Sequence, residues 1–122
     1  RLRGCVGTIE PTQPDLAAEI IQSAISASTK DYRFPPIEAD ELDELSVSVD
    51  VLSSPEKISH LAQLDVKRYG VIVQKGKKRG LLLPNLEGVD SPADQVAIAK
   101  RKAGIGEDEE VELYRFEVKR YN

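Results

Sequence analysis

Residues 69–84 read Y-G-V-I-V-Q-K-G-K-K-R-G-L-L-L-P. Two apolar runs, 69–74 and 79–83, flank K-G-K-K, and Gly76 can supply the positive φ that a tight turn demands. The stretch predicts an antiparallel hairpin stopped by Pro84, which has no N–H for a ladder. A lone hairpin is marginal in water, so it needs further strands or a helix across one face. Both are predicted downstream. Ser91-Pro92 has the form of a helix cap followed by a first-turn proline, for a helix ending near Lys102 with Gly104 just beyond. Lys100, Arg101 and Lys102 fall in its last turn, where cations suit the helix dipole. Residues 110–121 alternate, with Tyr114, Phe116 and Val118 on one face, and predict a last strand that closes the sheet.

Upstream, residues 46–52 alternate Val47, Val49 and Val51 against Ser46, Ser48 and Asp50, the pattern of a half-buried strand. Ser54-Pro55-Glu56 resembles a second helix start, predicting a short helix to about Leu64. Residues 15–28 predict a longer helix. Its apolar stripe is Leu16, Ile20, Ala24 and Ala27, widened by Ile21 and Ile25. Pro35 and Pro36 forbid helix after K-D-Y-R-F, and residues 38–45 predict one short acidic helical turn. Residues 2–9 read as a strand paired inside the sheet, with Gly4 and Gly7 marking a close approach to its backbone. About five strands and three helices with hairpin connections make an α+β fold with a mainly antiparallel sheet.

The chain has 122 residues, enough for one domain with its own core. Seventeen Lys and Arg against 21 Asp and Glu give a net charge of −4, which disfavours a duplex-binding role driven by counterion release. No apolar run approaches the roughly 20 residues of a membrane span. Cys5 is the only cysteine and His60 the only histidine, so neither an internal disulfide nor a four-ligand thiolate–imidazole zinc site can form within one chain. A free thiol suits a reducing compartment, so a cytoplasmic location is expected. The chain has no Met and begins at Arg1, as a piece of a longer protein would.

Cys5 lies between Gly4 and Gly7. On a strand, Arg3 and Cys5 would project to the same face, and a neighbouring guanidinium favours the nucleophilic thiolate. The alternative is a small buried hydrophobe. Asp31 and Arg33 precede the double proline. An Arg there can fork onto a carboxylate or phosphate of a ligand, or form a local ion pair that fixes the turn. If Arg3 and Arg33 converge, they make an anion pocket beside Cys5. Lys75, Lys77, Lys78 and Arg79 form a basic hairpin tip without interleaved aromatics, a solvated turn rather than a base-stacking surface. Glu38, Asp40, Glu41, Asp43 and Glu44 lack the spacing of a calcium loop and read as a solvated face. His60 reads as a surface or half-buried histidine. No G-x-S-x-G, phosphate-cradling Gly-Lys loop or H-E-x-x-H is present.

Five motifs in order are L-R-G-C-V-G-T (2–8), D-Y-R-F-P-P (31–36), S-V-S-V-D-V-L (46–52), R-G-L-L-L-P (79–84) and R-K-A-G-I (101–105). Together they resemble the AMMECR domain family, known in prokaryotes as AmmeMemoRadiSam system protein A. The resemblance covers the whole chain and implies an α+β fold with two sub-lobes. It also implies that residues 1–122 are one domain lacking the family's N-terminal portion, a strand and a helix. It names no reaction and no cofactor. It implies Memo-like, extradiol-dioxygenase-like or radical S-adenosylmethionine partners, in the same chain or pathway. The expected site is a cleft for a small anionic ligand, with Arg3, Gly4, Gly7, Asp31 and Arg33 binding and Cys5 as the catalytic candidate. The alternative is a protein-interaction module without chemistry, docking through the basic hairpin tip and the acidic residues 38–44. Many relatives carry a second cysteine where this chain has Lys100, so a two-thiol mechanism is not implied here.

Overall fold

The computed structural model describes residues 1–122, which divide into two compact units, residues 1–49 with Asn122, and residues 50–121. The larger unit is built on the hairpin. Strands β3 (Gly70–Lys75) and β4 (Lys78–Leu82) pair antiparallel around Gly76-Lys77, with Gly76 at φ 59°. Strand β5 (Glu112–Phe116) lies on the other side of β3, and β2 (Glu56–Ile58) pairs with β5, giving the antiparallel order β2-β5-β3-β4.

Helix α2 (Pro92–Ala103) covers one face of this sheet. The Ser91 Oγ accepts from the Asp94 N–H at 3.2 Å, Pro92 occupies the first turn, and Gly104 ends the helix at φ 72°, as the sequence predicts. Val96 and Ala99 of α2 pack on Val71, Val73, Leu82 and Ile58, with Leu64 and Ile105 completing the core. A β-carbon on Gly80 would lie 2.3 Å from the Ala99 carbonyl oxygen, so the absence of a side chain there sets the closeness of helix and sheet. Ile72 and Phe116, both essentially inaccessible, point to the opposite sheet face, and the Phe116 ring occupies the space a Gly70 β-carbon would need.

Four expectations are corrected. Residues 54–64 are not a helix. Glu56–Ile58 form β2 and Leu61–Gln63 a 3-10 turn, because Ile58 opposite Leu113 fills the core where a helix would leave the edge of β5 unpaired. The last strand does not close the sheet at its rim, since β5 lies inside it. Residues 110–121 are also two strands. The Ser53 N–H donates to the Glu117 carbonyl at 2.9 Å and the Ser53 Oγ accepts from the Glu117 N–H at 2.8 Å, breaking the run before β6 (Val118–Tyr121). Strand β1 pairs with β6 but begins only at Val49 (Val49–Leu52), leaving Val47 70% exposed.

In the smaller unit, helix α1 (Leu16–Thr29) starts where Asp15 accepts from the Ala18 N–H at 2.8 Å. Residues 39–44 form the expected short turn, of 3-10 type. Residues 2–9 are not a strand and join neither sheet. Side chains of the loop after α1 bind the Cys5 peptide, so its backbone groups are satisfied without a ladder. Gly4 does meet a close approach, since a β-carbon there would sit 2.0 Å from the Ala27 carbonyl oxygen, but Gly7 faces open space. Nor are Ile21 and Ile25 covered.

Glu19 pins the loop before α1. Its carboxylate accepts from Thr8 Oγ1 at 2.6 Å, the Thr12 N–H and Oγ1 at 2.9 Å each, and the Gln13 N–H at 2.8 Å. The Thr8 hydroxyl bond leads these in lowering its pKa from 4.5 to about 2. The folded value is depressed, so this pinning is complete above pH 4.5 and is lost as pH falls through about 2. The Glu19 carboxyl carbon, followed by NMR, should titrate near 2, and Glu19→Gln should remove acid-induced shifts at the Thr12 and Gln13 amides. A midpoint near 4.5 would mean the loop is unpinned in solution.

Candidate functional site

The loop after α1 is tied to residues 3–5 by an arginine–carboxylate fork within the loop that grips the Cys5 peptide, and by a second fork between Arg3 and Glu41. In the first, Arg33 Nε donates to Asp31 Oδ1 at 3.0 Å and Nη2 to Oδ2 at 2.7 Å. The same carboxylate accepts from the Arg33 N–H at 3.1 Å and the Cys5 N–H at 3.0 Å, and Arg33 Nη2 also donates to the Cys5 carbonyl at 3.1 Å. The Cys5 peptide is thus gripped at both its donor and its acceptor. In the second, Arg3 Nε donates to Glu41 Oε1 at 2.8 Å and Nη2 to Oε2 at 3.0 Å, with a weaker Nη1 contact to the Pro35 carbonyl at 3.4 Å.

Exposure separates the two forks. The Arg3 side chain is 12% exposed, and its partner Glu41 also accepts from the Glu38 N–H at 2.9 Å. This fork anchors the 3-10 turn. Asp31 is buried, with its side chain 4% exposed, whereas the Arg33 side chain is 48% exposed beside the exposed Cys5. Tyr32, next in the loop, is almost fully in solvent.

The Arg33 guanidinium, by its hydrogen bonds, and then the Cys5 N–H hold the Asp31 carboxyl well below the usual carboxylate range. The Arg3 guanidinium similarly lowers Glu41 from 4.5 to about 2. The Arg33 pKa is raised, chiefly by its bonds to Asp31. Both arginines are therefore permanent cations, each already holding a carboxylate. Arg33 keeps Nη1 outside its fork and half its side chain in solvent, which suits it to a second anion.

Asp31, Arg33 and the Cys5 peptide come together. The thiol is exposed rather than packed as a hydrophobe, and Arg3 is directed to Glu41. Gly4 seats the segment on α1, whereas Gly7 has no comparable contact. Sequence reasoning missed Glu41, which reads as one of five solvated acids. Its partner lies 38 positions away, and no local spacing signals the pair.

Elsewhere, the basic hairpin tip is largely tied down. Lys75 pairs with Glu109 at 2.7 Å and Lys78 Nζ donates to the Gly104 carbonyl at 3.0 Å. Lys100 latches the following loop by donating to the Glu107 and Glu109 carbonyls at 3.0 and 2.9 Å. His60 is exposed at the start of a 3-10 turn. No group of three or more His, Cys, Asp or Glu residues is placed to hold a metal ion. No helix is long and apolar enough to cross a membrane.

Comparison with known proteins agrees with the order of motifs. Residues 1–121 match the AMMECR1 family. A Thermotoga maritima protein is 59% identical over 98% of this chain and 70% of its own length. A Clostridium acetobutylicum protein is 48% identical over 98% of this chain, a match that fills only 25% of the longer protein. The crystal structure of an uncharacterized Pyrococcus horikoshii protein superposes with a TM-score of 0.87 at 36% identity, covering 97% of this chain and 63% of that one. Family and α+β fold thus agree in sequence and in backbone, and the chain belongs to the AMMECR1 family.

Proposed function

We propose that the surface formed by Cys5, Asp31 and Arg33 binds a small anionic group, carboxylate or phosphate, beside the Cys5 thiol. One observation carries the reading: the buried Asp31 carboxylate fixes the Cys5 N–H and the Arg33 guanidinium at once, so a half-exposed cation is held against the Cys5 peptide next to an exposed thiol. A guanidinium already ordered by a fork loses little freedom when a second anion arrives. Arg3, turned to Glu41, supports this surface by fixing the loop and the 3-10 turn. The domain would serve a larger system with a Memo-like or radical S-adenosylmethionine partner, in the cytoplasm. The Clostridium relative, in which the match fills 25% of the chain, supports a domain that works beside further polypeptide.

The test is an NMR titration with inorganic phosphate and, separately, succinate. The Cys5 amide and Arg33 Nε–H signals should shift in a saturable way, and Arg33→Lys should weaken binding about tenfold by losing the planar fork. An equal response in the variant, or shifts spread over surface lysines, overturns the reading. A second reading, the interaction module, is favoured by Tyr32, 96% exposed, and Leu42, 61% exposed, in the same unit.

A further inference from the structure

The turn that carries Arg33 also presents a bare aromatic ring. The Asp31 carbonyl accepts from the Phe34 N–H at 3.0 Å, and the Asp31 carboxylate from the Arg33 N–H at 3.1 Å, so the turn over Tyr32 and Arg33 is closed twice. The Ile37 N–H donates to the Ser28 carbonyl at 2.8 Å, which ties the far end of the loop back to α1. Pro35 and Pro36 stiffen the span between. Tyr32 therefore stands on fixed backbone, yet it is 96% exposed. The other three tyrosines are all better covered: Tyr69 and Tyr114 are half-buried and Tyr121 is 50% exposed. A ring left in water contributes nothing to the fold, and the stiff turn does not carry it to a cover.

Arg33 follows directly in the chain. Its Nε and Nη2 are committed to Asp31, and the Phe34 ring backs the guanidinium carbon at 5.3 Å from the ring centroid. The Arg33 pKa is raised first by Asp31 and then, through charge alone, by Cys5 and Tyr32, so thiol and phenol both lie within electrostatic range of the guanidinium. We propose that the anion taken by Arg33 belongs to a planar aromatic molecule, an aryl carboxylate or aryl phosphate, whose ring stacks on Tyr32. The inference rests on the anion reading given above and names its ligand class. A bare anion occupies Nη1 and leaves the ring unused. A ring joined directly to its acid group can meet neighbouring side chains of one turn at once. Both contact groups stand ready, the guanidinium by its fork and the ring by the closed turn, so little ordering is left to the ligand. An aromatic pair adds roughly threefold to tenfold in affinity, and a one-sided stack in solvent belongs in the lower half of that range.

The experiment compares phenyl phosphate with methyl phosphate, two monoesters of the same charge, in NMR titrations of the 122-residue chain. The Cys5 amide and Arg33 Nε–H signals should respond to both. Phenyl phosphate should bind about fivefold tighter and should move the Tyr32 ring protons upfield, which methyl phosphate should not. Tyr32→Ala should bring both affinities to the methyl phosphate value, and Tyr32→Phe should keep the difference. Tyr32 is exposed, so neither substitution disturbs packing. Equal binding of the two esters by the parent chain, or a phenyl preference that survives Tyr32→Ala, overturns this inference and leaves the anion reading standing. So does an equal gain from cyclohexyl phosphate, which has no ring to stack. Silence of Cys5 and Arg33 toward every ester overturns both.

Discussion

Gly80→Ala should lower the thermal midpoint of the larger unit by about 10 °C, or prevent it from folding. The added β-carbon would lie 2.3 Å from the Ala99 carbonyl oxygen and 3.0 Å from the Ala103 methyl. The first contact is with helix backbone and cannot be relieved by a rotamer change. Helix α2 would have to lift from β4, loosening Ala99 and Val96 from Val71, Val73 and Leu82. Overpacking commonly costs about 1–3 kcal/mol, and a backbone clash belongs at the upper end. For a domain whose whole stability is about 5–15 kcal/mol that is a large share. Ala103→Gly should not rescue it, because the limiting contact is the Ala99 carbonyl. Gly7→Ala, with nothing within 4 Å, is the control and should change little. Circular dichroism melts decide the matter. A Gly80→Ala midpoint within about 2 °C of the parent would show that α2 stands farther from the sheet.

The larger unit was legible where local chemistry and tertiary packing ask for the same thing. Ser91-Pro92 and Gly104 bracket α2 because a cap, a first-turn proline and a left-handed terminal residue are each local requirements. Gly76 sets the hairpin for a similar reason. The misreadings arose where one local signal served two structures. Ser54-Pro55-Glu56 looks like a helix start, yet Ile58 is worth more to the core opposite Leu113 than on a short exposed helix. Residues 2–9 have strand composition, but a strand exists only where a neighbour offers a ladder. Here the Cys5 N–H and carbonyl are taken by the side chains of Asp31 and Arg33.

The candidate site was legible in part for the same reason. Asp31 and Arg33 are two positions apart, so a local fork is within reach of sequence reasoning. The Arg3–Glu41 fork spans 38 positions and becomes visible only once the loop has folded back. A shared anion pocket requires Arg3 and Arg33 to converge on one anion, and here they hold different carboxylates. That resolves their mutual repulsion and leaves only the half-exposed Arg33 for an external anion.

The hierarchy within the first fork yields the second large effect, at Asp31. Its carboxylate accepts four hydrogen bonds, three from Arg33 and one from the Cys5 N–H, and it is the only buried charged side chain in the smaller unit. Asp31→Ala should free Arg33 and the Cys5 peptide together, raising Cys5 amide exchange and the iodoacetamide labelling rate by roughly tenfold or more, since a part-buried donor loses its charged acceptor. Arg33→Ala should do less to the Cys5 amide, because Asp31 Oδ2 still accepts from it at 3.0 Å. The depressed carboxyl fixes the pH response. The contribution of Asp31 is full above its ordinary 3.8 and is lost only as pH falls through its much lower folded value, so protection at Cys5 should persist at pH 4. The order of the variants is the decisive observation. If Arg33→Ala exposes the Cys5 amide as much as Asp31→Ala does, the guanidinium bond to the Cys5 carbonyl holds the peptide, and Asp31 serves only to neutralise Arg33.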